Sequence, residues 1–241
     1  MMIFRRIKGK LFYIVQNIII HVYSKGESVG KIWMFHCISS NKDEWYNEKY
    51  SISPQKLEKL IFHTLSAKGK FEDIRNLQSG SNRVRFVTFD DGFDGIVKEA
   101  LPILEKYQVP FCVFVSTDMI GKAGYLSKEQ LLMLDKSNLC TIGAHTVSHP
   151  KLRTITARKS KSEIMKSKLI LEEILGHRVD FMAYPYGNVS AVGIREIKYA
   201  KQCGYNMAFS TIQIPVTKAC LKNPYFIPRV NINEKSKIEE V

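Results

Sequence analysis

Runs of strongly apolar residues recur along the chain, separated by longer stretches whose apolar positions fall three and four apart. Residues 31–35 (KIWMF), 84–89 (VRFVTF) and 111–115 (FCVFV) read as strands, being continuous, rich in β-branched or aromatic side chains and short. Residues 141–143, 181–183, 206–209 and 226–230 are shorter strand candidates. The helical pattern appears at 54–66, 95–107, 128–135, 156–175 and 189–203. Ser53 before Pro54, and Ser127 before Lys-Glu-Gln, offer side-chain oxygens to the unpaired N–H groups of a first helical turn. Gly176 and Gly204 stand where helices commonly end in a left-handed residue. Strand–helix alternation of this kind predicts a parallel sheet, open or closed into a barrel. In a barrel the chemistry gathers at the C-terminal strand ends, so reactive side chains should sit just after the apolar runs.

The first thirty residues differ from the rest. Arg5, Arg6, Lys8 and Lys10 stand beside Phe4, Leu11, Phe12 and Ile14, which suits a basic amphipathic helix. Gln16, Asn17 and His21 interrupt the apolar run, and no small-residue cleavage pattern follows. Two readings stay open: a helix packed on the domain, or an interfacial helix on anionic lipid. The chain is therefore divided into this segment, 1–30, and one domain, 31–241. Five cysteines with no C-x-x-C spacing fit a reducing compartment and exclude a zinc-finger framework. The expected location is cytoplasmic, with peripheral contact at the inner membrane face. A net charge of +13 asks for an anionic partner, but no nucleic-acid-binding motif accompanies it, so no nucleic acid is expected.

Candidate chemistry follows the predicted strands. Asp90-Asp91-Gly92 comes directly after 84–89. Adjacent carboxylates raise one another's pKa unless a cation relieves them, and a solvated turn closed by Gly92 is the plainer alternative. His145 and His149, four apart after 141–143, can present both imidazoles to one metal from a single helical turn; a surface or capping pair is the alternative. Two histidines and one carboxylate leave coordination positions for water and substrate. Ala183-Tyr184-Pro185-Tyr186-Gly187 is a tight turn that could aim a backbone N–H at a carbonyl oxygen. His36 follows 31–35 and by itself reads as structural.

Thr88-Phe89-Asp90-Asp91-Gly92, His145-Thr146-Val147-Ser148-His149-Pro150 and Ala183-Tyr184-Pro185-Tyr186-Gly187 together resemble the three motifs of the polysaccharide deacetylase family, also known as NodB-homology or carbohydrate esterase 4 proteins. The resemblance runs over about residues 31–232 and implies an α/β fold, a distorted (β/α) barrel of about seven parallel strands. It implies a metal-dependent hydrolase that removes acetyl groups from the amino sugars of a bacterial cell-surface polysaccharide or its precursor. Asp91, His145 and His149 would hold a divalent metal, Zn2+ foremost, with Co2+, Ni2+ or Mn2+ as substitutes. Asp90 would be the base. No histidine follows His177, so the late acid of many members is missing; Met34-Phe35-His36 is similar to the early motif of a subgroup and gives His36 the acid role. Tyr186, Pro185 and Arg229 are placed on the oxyanion and substrate side. The arginine that usually opens the third motif is absent, and Arg229 is also the candidate to orient Asp90 instead. The implied partners are an acetylated or lipid-linked glycan and an anionic membrane surface. A catalytically silent glycan-binding protein on the same scaffold is the alternative.

Overall fold

The computed structural model describes residues 2–40 and 49–240. The chain begins with α1 (Met2–Tyr23) and enters the sheet through β1 (Ser28–Phe35). A small parallel pair, β2 (Cys37–Ile38) and β3 (Ser51–Ile52), precedes α2 (Pro54–Ser66). There follow β4 (Lys70–Phe71), β5 (Val84–Phe89), α3 (Leu101–Lys106), β6 (Phe111–Val115), α4 (Lys128–Asp135) and β7 (Cys140–Ala144). The remainder comprises α5 (Ala157–Leu175), β8 (Phe181–Ala183), α6 (Ile194–Gln202), β9 (Met207–Phe209), β10 (Val216–Thr217), α7 (Lys218–Leu221) and β11 (Val230–Asn231).

The sheet runs in the order β10-β1-β5-β6-β7-β8-β9, parallel from β1 to β9, with β10 antiparallel at the edge. It curls into the expected distorted barrel. The gap between its last and first strands is crossed by one C-terminal segment. Ile227 bridges Phe209 of β9, and three residues later Val230 and Asn231 pair in parallel with Trp33 and Met34 of β1.

Strand alternation sorts the core into two sides. Trp33, Phe35, Val87, Phe89 and Val113 pack outward against the helices with Leu57, Leu131 and Ile164. Ile32, Phe86, Phe114, Phe181, Phe209 and Ile227 fill the interior. Each such buried side chain contributes on the order of 1.5–3 kcal/mol. The helix starts hold as capped: Ser53 accepts from the Lys56 N–H, and Ser127 forms a capping box with Gln130.

Several boundaries move. The stretch expected as one helix over 95–107 opens with a π-helical turn at Ile96–Ala100, because Pro102 cannot donate the N–H that a continuous α-helix would need. Gly95 sits so close to the preceding chain that a Cβ there would lie 2.1 Å from the Ile38 carbonyl oxygen. The helix expected over 189–203 starts only at Ile194, since residues 188–192 turn back on the Asn188 carbonyl. The strand expected over 226–230 is reduced to the Ile227 bridge and β11. Residues 28–30, counted with the N-terminal segment by sequence, belong to β1. The side chains of residues 2–10, on which the basic half of that segment's reading falls, lie outside the described part.

Candidate active site

Four parallel strands deliver the predicted residues to one end of the barrel. β1 ends at Phe35 before His36, β5 at Phe89 before Asp90, β7 at Ala144 before His145, and β8 at Ala183 before the Tyr184–Gly187 turn. They line a cavity of about 420 Å3 that holds His36, Asp90, Asp91, His145, His149 and Tyr186.

Alternation along β5 explains the division of labour between the two carboxylates. Phe86 and Thr88 point into the barrel, and Asp90 continues that face; its N–H donates to the Phe35 carbonyl at 2.9 Å, prolonging the ladder. Asp91 then adopts a left-handed conformation (φ 70°), and its carboxylate meets His145 and His149 while that of Asp90 meets Arg229. Four of the non-glycine residues with positive φ stand here, Asp91, Thr146, His149 and Tyr186. Such conformations cost about 1–3 kcal/mol each and persist only where the surroundings hold them, which is the pattern of a functional site.

Asp90 is buried and gripped by Arg229. The guanidinium donates to both carboxylate oxygens, at 2.6 and 2.7 Å, and to the Thr88 hydroxyl at 3.1 Å, which itself donates to the Trp33 carbonyl. Arg229 Nε donates to the Ser210 carbonyl, and the guanidinium lies over the Phe114 ring. Burial pushes the Asp90 carboxyl up, but Arg229, assisted by His145 and His36, outweighs it and holds the group below its ordinary value. Arg229 has no exposed surface, so it does not reach the substrate side; its place is behind Asp90.

The histidines converge, although not from a helical turn. Residues 145–149 form a loop in which left-handed Thr146 and His149 bring the two rings to a centroid distance of 5.0 Å. Their Nε2 atoms lie 3.4 and 3.2 Å from Asp91 Oδ1. His145 Nδ1 is 2.8 Å from the Ala183 carbonyl, which can only accept, so Nδ1 carries the hydrogen and Nε2 presents its lone pair. Asp91, His145 and His149 offer ligand atoms all within 4.8 Å of one another, and Asp91 Oδ1 is a buried oxygen with no hydrogen-bond donor. Without a cation, burial would raise the Asp91 carboxyl, and only protonated, donating His145 and His149 would outweigh it and hold the group well below the usual range. An ionised oxygen without a donor facing two imidazole nitrogens is a donor set that fits a divalent cation.

His36 closes the cavity from β1, its ring 5.1 Å from that of Tyr50 and its Nδ1 without a partner. Burial depresses its pKa, the charges of Asp90 and Asp91 act against that, and Arg229 and His145 add to it. Tyr186, half exposed at the rim, faces His149 at 5.0 Å and lies under Lys151 Nζ at 4.9 Å. Pro185 is buried in the turn beneath it and does not line the cavity. His177 instead pairs with Asp135 at 2.9 Å, away from the cavity.

One supporting residue escaped the sequence reading. Glu163, buried on α5, accepts from the Val147 and Ser148 N–H groups at 3.0 and 2.9 Å and from the Ser148 hydroxyl at 2.8 Å. It pins the loop between the two histidines. Its only signal in the sequence is an acid on the inward face of a basic helix, too common a pattern to single out.

A sequence profile described as polysaccharide deacetylase matches residues 78–208. A Bacillus subtilis protein named as a polysaccharide deacetylase, YxkH, is 26% identical over 181 residues, 75% of this chain and 63% of that one. The poly-beta-1,6-N-acetyl-D-glucosamine N-deacetylase of Staphylococcus aureus is 27% identical over 210 residues, covering 78% and 69%. The chain thus spans just under two thirds of the Bacillus relative. Among solved structures, the Streptococcus pyogenes deacetylase PplD in complex with acetate superposes with TM-score 0.77 at 21% identity, covering 88% of this chain and 96% of that one. A Bacillus cereus polysaccharide deacetylase gives 0.78 at 23%, covering 89% and 68%. At these identities the structures speak for the fold.

Proposed function

Since the chain belongs to the polysaccharide deacetylase family, we propose that it hydrolyses N-acetyl groups on the amino sugars of a bacterial cell-surface polysaccharide or its precursor, with a divalent metal at Asp91, His145 and His149. The observation that carries this is the pairing of that three-residue cluster with a buried, arginine-held carboxylate in one cavity. The Staphylococcus aureus relative supports the N-linked acetyl group as the target, since its name specifies N-deacetylation.

When bound, a divalent cation would supply Lewis-acid polarisation of the acetyl carbonyl and acidify a water. The chain's own residues do the rest. Asp90, kept ionised by Arg229, takes a proton from the attacking water. The new C–O bond forms as the amide C–N bond breaks, so acetate and a free amine leave. His36 lines the same cavity with Nδ1 unpartnered, and it relays to the departing nitrogen the proton that Asp90 took from the water. The Tyr186 backbone N–H, in a left-handed turn at the rim, would donate to the developing oxyanion.

Arg229 on Asp90 supplies the guanidinium that the third motif lacks, which weakens the reading as a silent glycan binder. The test is acetate release from oligomers of N-acetylglucosamine by metal-supplemented wild type and Asp90→Asn. Equal release by both would overturn the assignment of the base, and release that persists undiminished under chelation would overturn the metal.

A further inference from the structure

The catalytic cavity makes no use of α1, which presents three kinds of face. Phe12, Ile19, Ile20 and Tyr23 turn toward the domain and pack on its core. Leu11, Ile14, Val15, Ile18 and Val22 fall on a second stripe, spaced i, i+3, i+4, i+7 and i+11, and are 38–57% exposed. Asn17 and His21 are exposed on a third, polar side. The apolar stripe continues into an open apolar groove of about 710 Å3 between α1 and residues 189–197, ending on Ile194, which is 75% exposed. Contiguous apolar surface of this kind marks an interaction site.

The charge says which kind. Arg5, Arg6, Lys8 and Lys10 lie on α1, and residues 1–26 hold no Asp or Glu. A second copy docking stripe to stripe would bring two such basic helices together, and like charges would oppose it. Anionic headgroups would instead neutralise them while the stripe enters the acyl boundary. None of the described helices is long and apolar enough to cross a membrane, so contact along the helix axis is the geometry available.

The helix is also tied to the catalytic loops. The Arg153 guanidinium lies 4.7 Å from the Phe12 ring centroid and donates to the Val189 carbonyl at 2.6 Å. Val189 directly follows Asn188, which lines the catalytic cavity. We propose that the exposed stripe of α1 docks the protein on an anionic bilayer surface, the helix lying in the headgroup region beside the loops that border the cavity. This binding is independent of the deacetylase reading.

The test uses the full chain with phosphatidylcholine vesicles, with and without phosphatidylglycerol, at low and high salt. Wild type should sediment with the anionic vesicles at least tenfold more strongly than with the neutral ones, less so at high salt. Asn17→Asp adds one negative charge off the stripe and should weaken binding roughly fivefold. Ile14→Asp/Ile18→Asp should weaken it by about a hundredfold or more, since it removes apolar burial as well. A conservative Ile18→Trp variant guards against misfolding: its fluorescence should be quenched by brominated acyl chains. Equal binding to neutral and anionic vesicles, a double variant no worse than Asn17→Asp, or an unquenched Trp would each overturn the proposal. So would a wild-type dimer, seen by light scattering, that the double variant dissociates.

Discussion

Arg229→Met tests whether the buried guanidinium is what keeps Asp90 a carboxylate. Methionine retains an apolar stem against Phe114 and removes only the charge and its donors. The substitution abolishes both contacts to Asp90 and the one to Thr88, leaving a carboxylate with no exposed surface to speak of and no counter-ion in contact. Removing one partner of a buried pair costs about 3–5 kcal/mol. At roughly 2–4 °C per kcal/mol for a chain of this size, melting at neutral pH should fall by roughly 6–20 °C. The pH dependence fixes the cause. In wild type the folded Asp90 lies below its ordinary value, so its pairing stabilises above the unfolded carboxylate pKa of about 3.9 and is lost as pH falls through the lower folded value. In the variant burial acts with less opposition and raises the carboxyl, so acidification should narrow the gap between the two melting curves. Acetate release should drop by about 10²–10⁴-fold at neutral pH, the usual contribution of a positioned base. Adding Asp90→Asn should restore part of the stability but none of the activity. A single variant that melts within about 2 °C of wild type at every pH would refute the reasoning, because a loss that size is below the roughly 2–4 °C expected for even one kcal/mol.

Glu163→Gln should lower metal affinity about 10–100-fold, measured by titration with Zn2+ or Co2+, while Asp90 chemistry at saturating metal is largely kept. Metal at a hundredfold excess over its dissociation constant should stabilise wild type by about 2.7 kcal/mol and leave Asp91→Ala unmoved, as read by thermal shift with and without chelator. His177, raised mainly by its hydrogen bond to Asp135, should contribute stability below about pH 6.5 that disappears as pH rises through its higher folded value. That contribution should be under about 1 kcal/mol and salt-sensitive because His177 is more than half exposed, and Asp135→Asn should remove the pH dependence. Thr156→Ala, which deletes the oxygen accepting from Lys159 N–H, should cost about 1 kcal/mol in chemical denaturation.

The strands that carry the site were readable because each is a continuous apolar run buried on both faces; β5, β6 and β8 keep the boundaries that hydrophobicity alone sets. The rule that chemistry gathers at C-terminal strand ends marked Asp90, Asp91, His145 and His149 as candidates, and their roles as base and metal ligands came only from the resemblance to the deacetylase motifs. What hydrophobic pattern cannot encode is local backbone handedness. The His145–His149 spacing suggested a helical turn, whereas left-handed Thr146 and His149 bring the rings together in a loop. Likewise Glu163 acts through hydrogen bonds to backbone amides in a loop sixteen residues away, a relation that only tertiary packing creates. Residues 226–230 read as one strand because Phe226, Ile227 and Val230 are apolar, but the chain crosses a gap between β9 and β1 and pairs with each in turn.

That crossing has a consequence for how the protein comes into being. The counter-ion of Asp90 arrives on the segment that joins the two ends of the sheet, 139 positions after the carboxylate it serves. A nascent chain that has made β1 through β9 already carries Asp91, His145 and His149, yet its buried Asp90 still lacks the guanidinium that contributes most to holding it ionised. If Asp90 is the base proposed above, ring closure itself arms it, and an incompletely synthesised or frayed barrel would keep the three clustered side chains and still be inert.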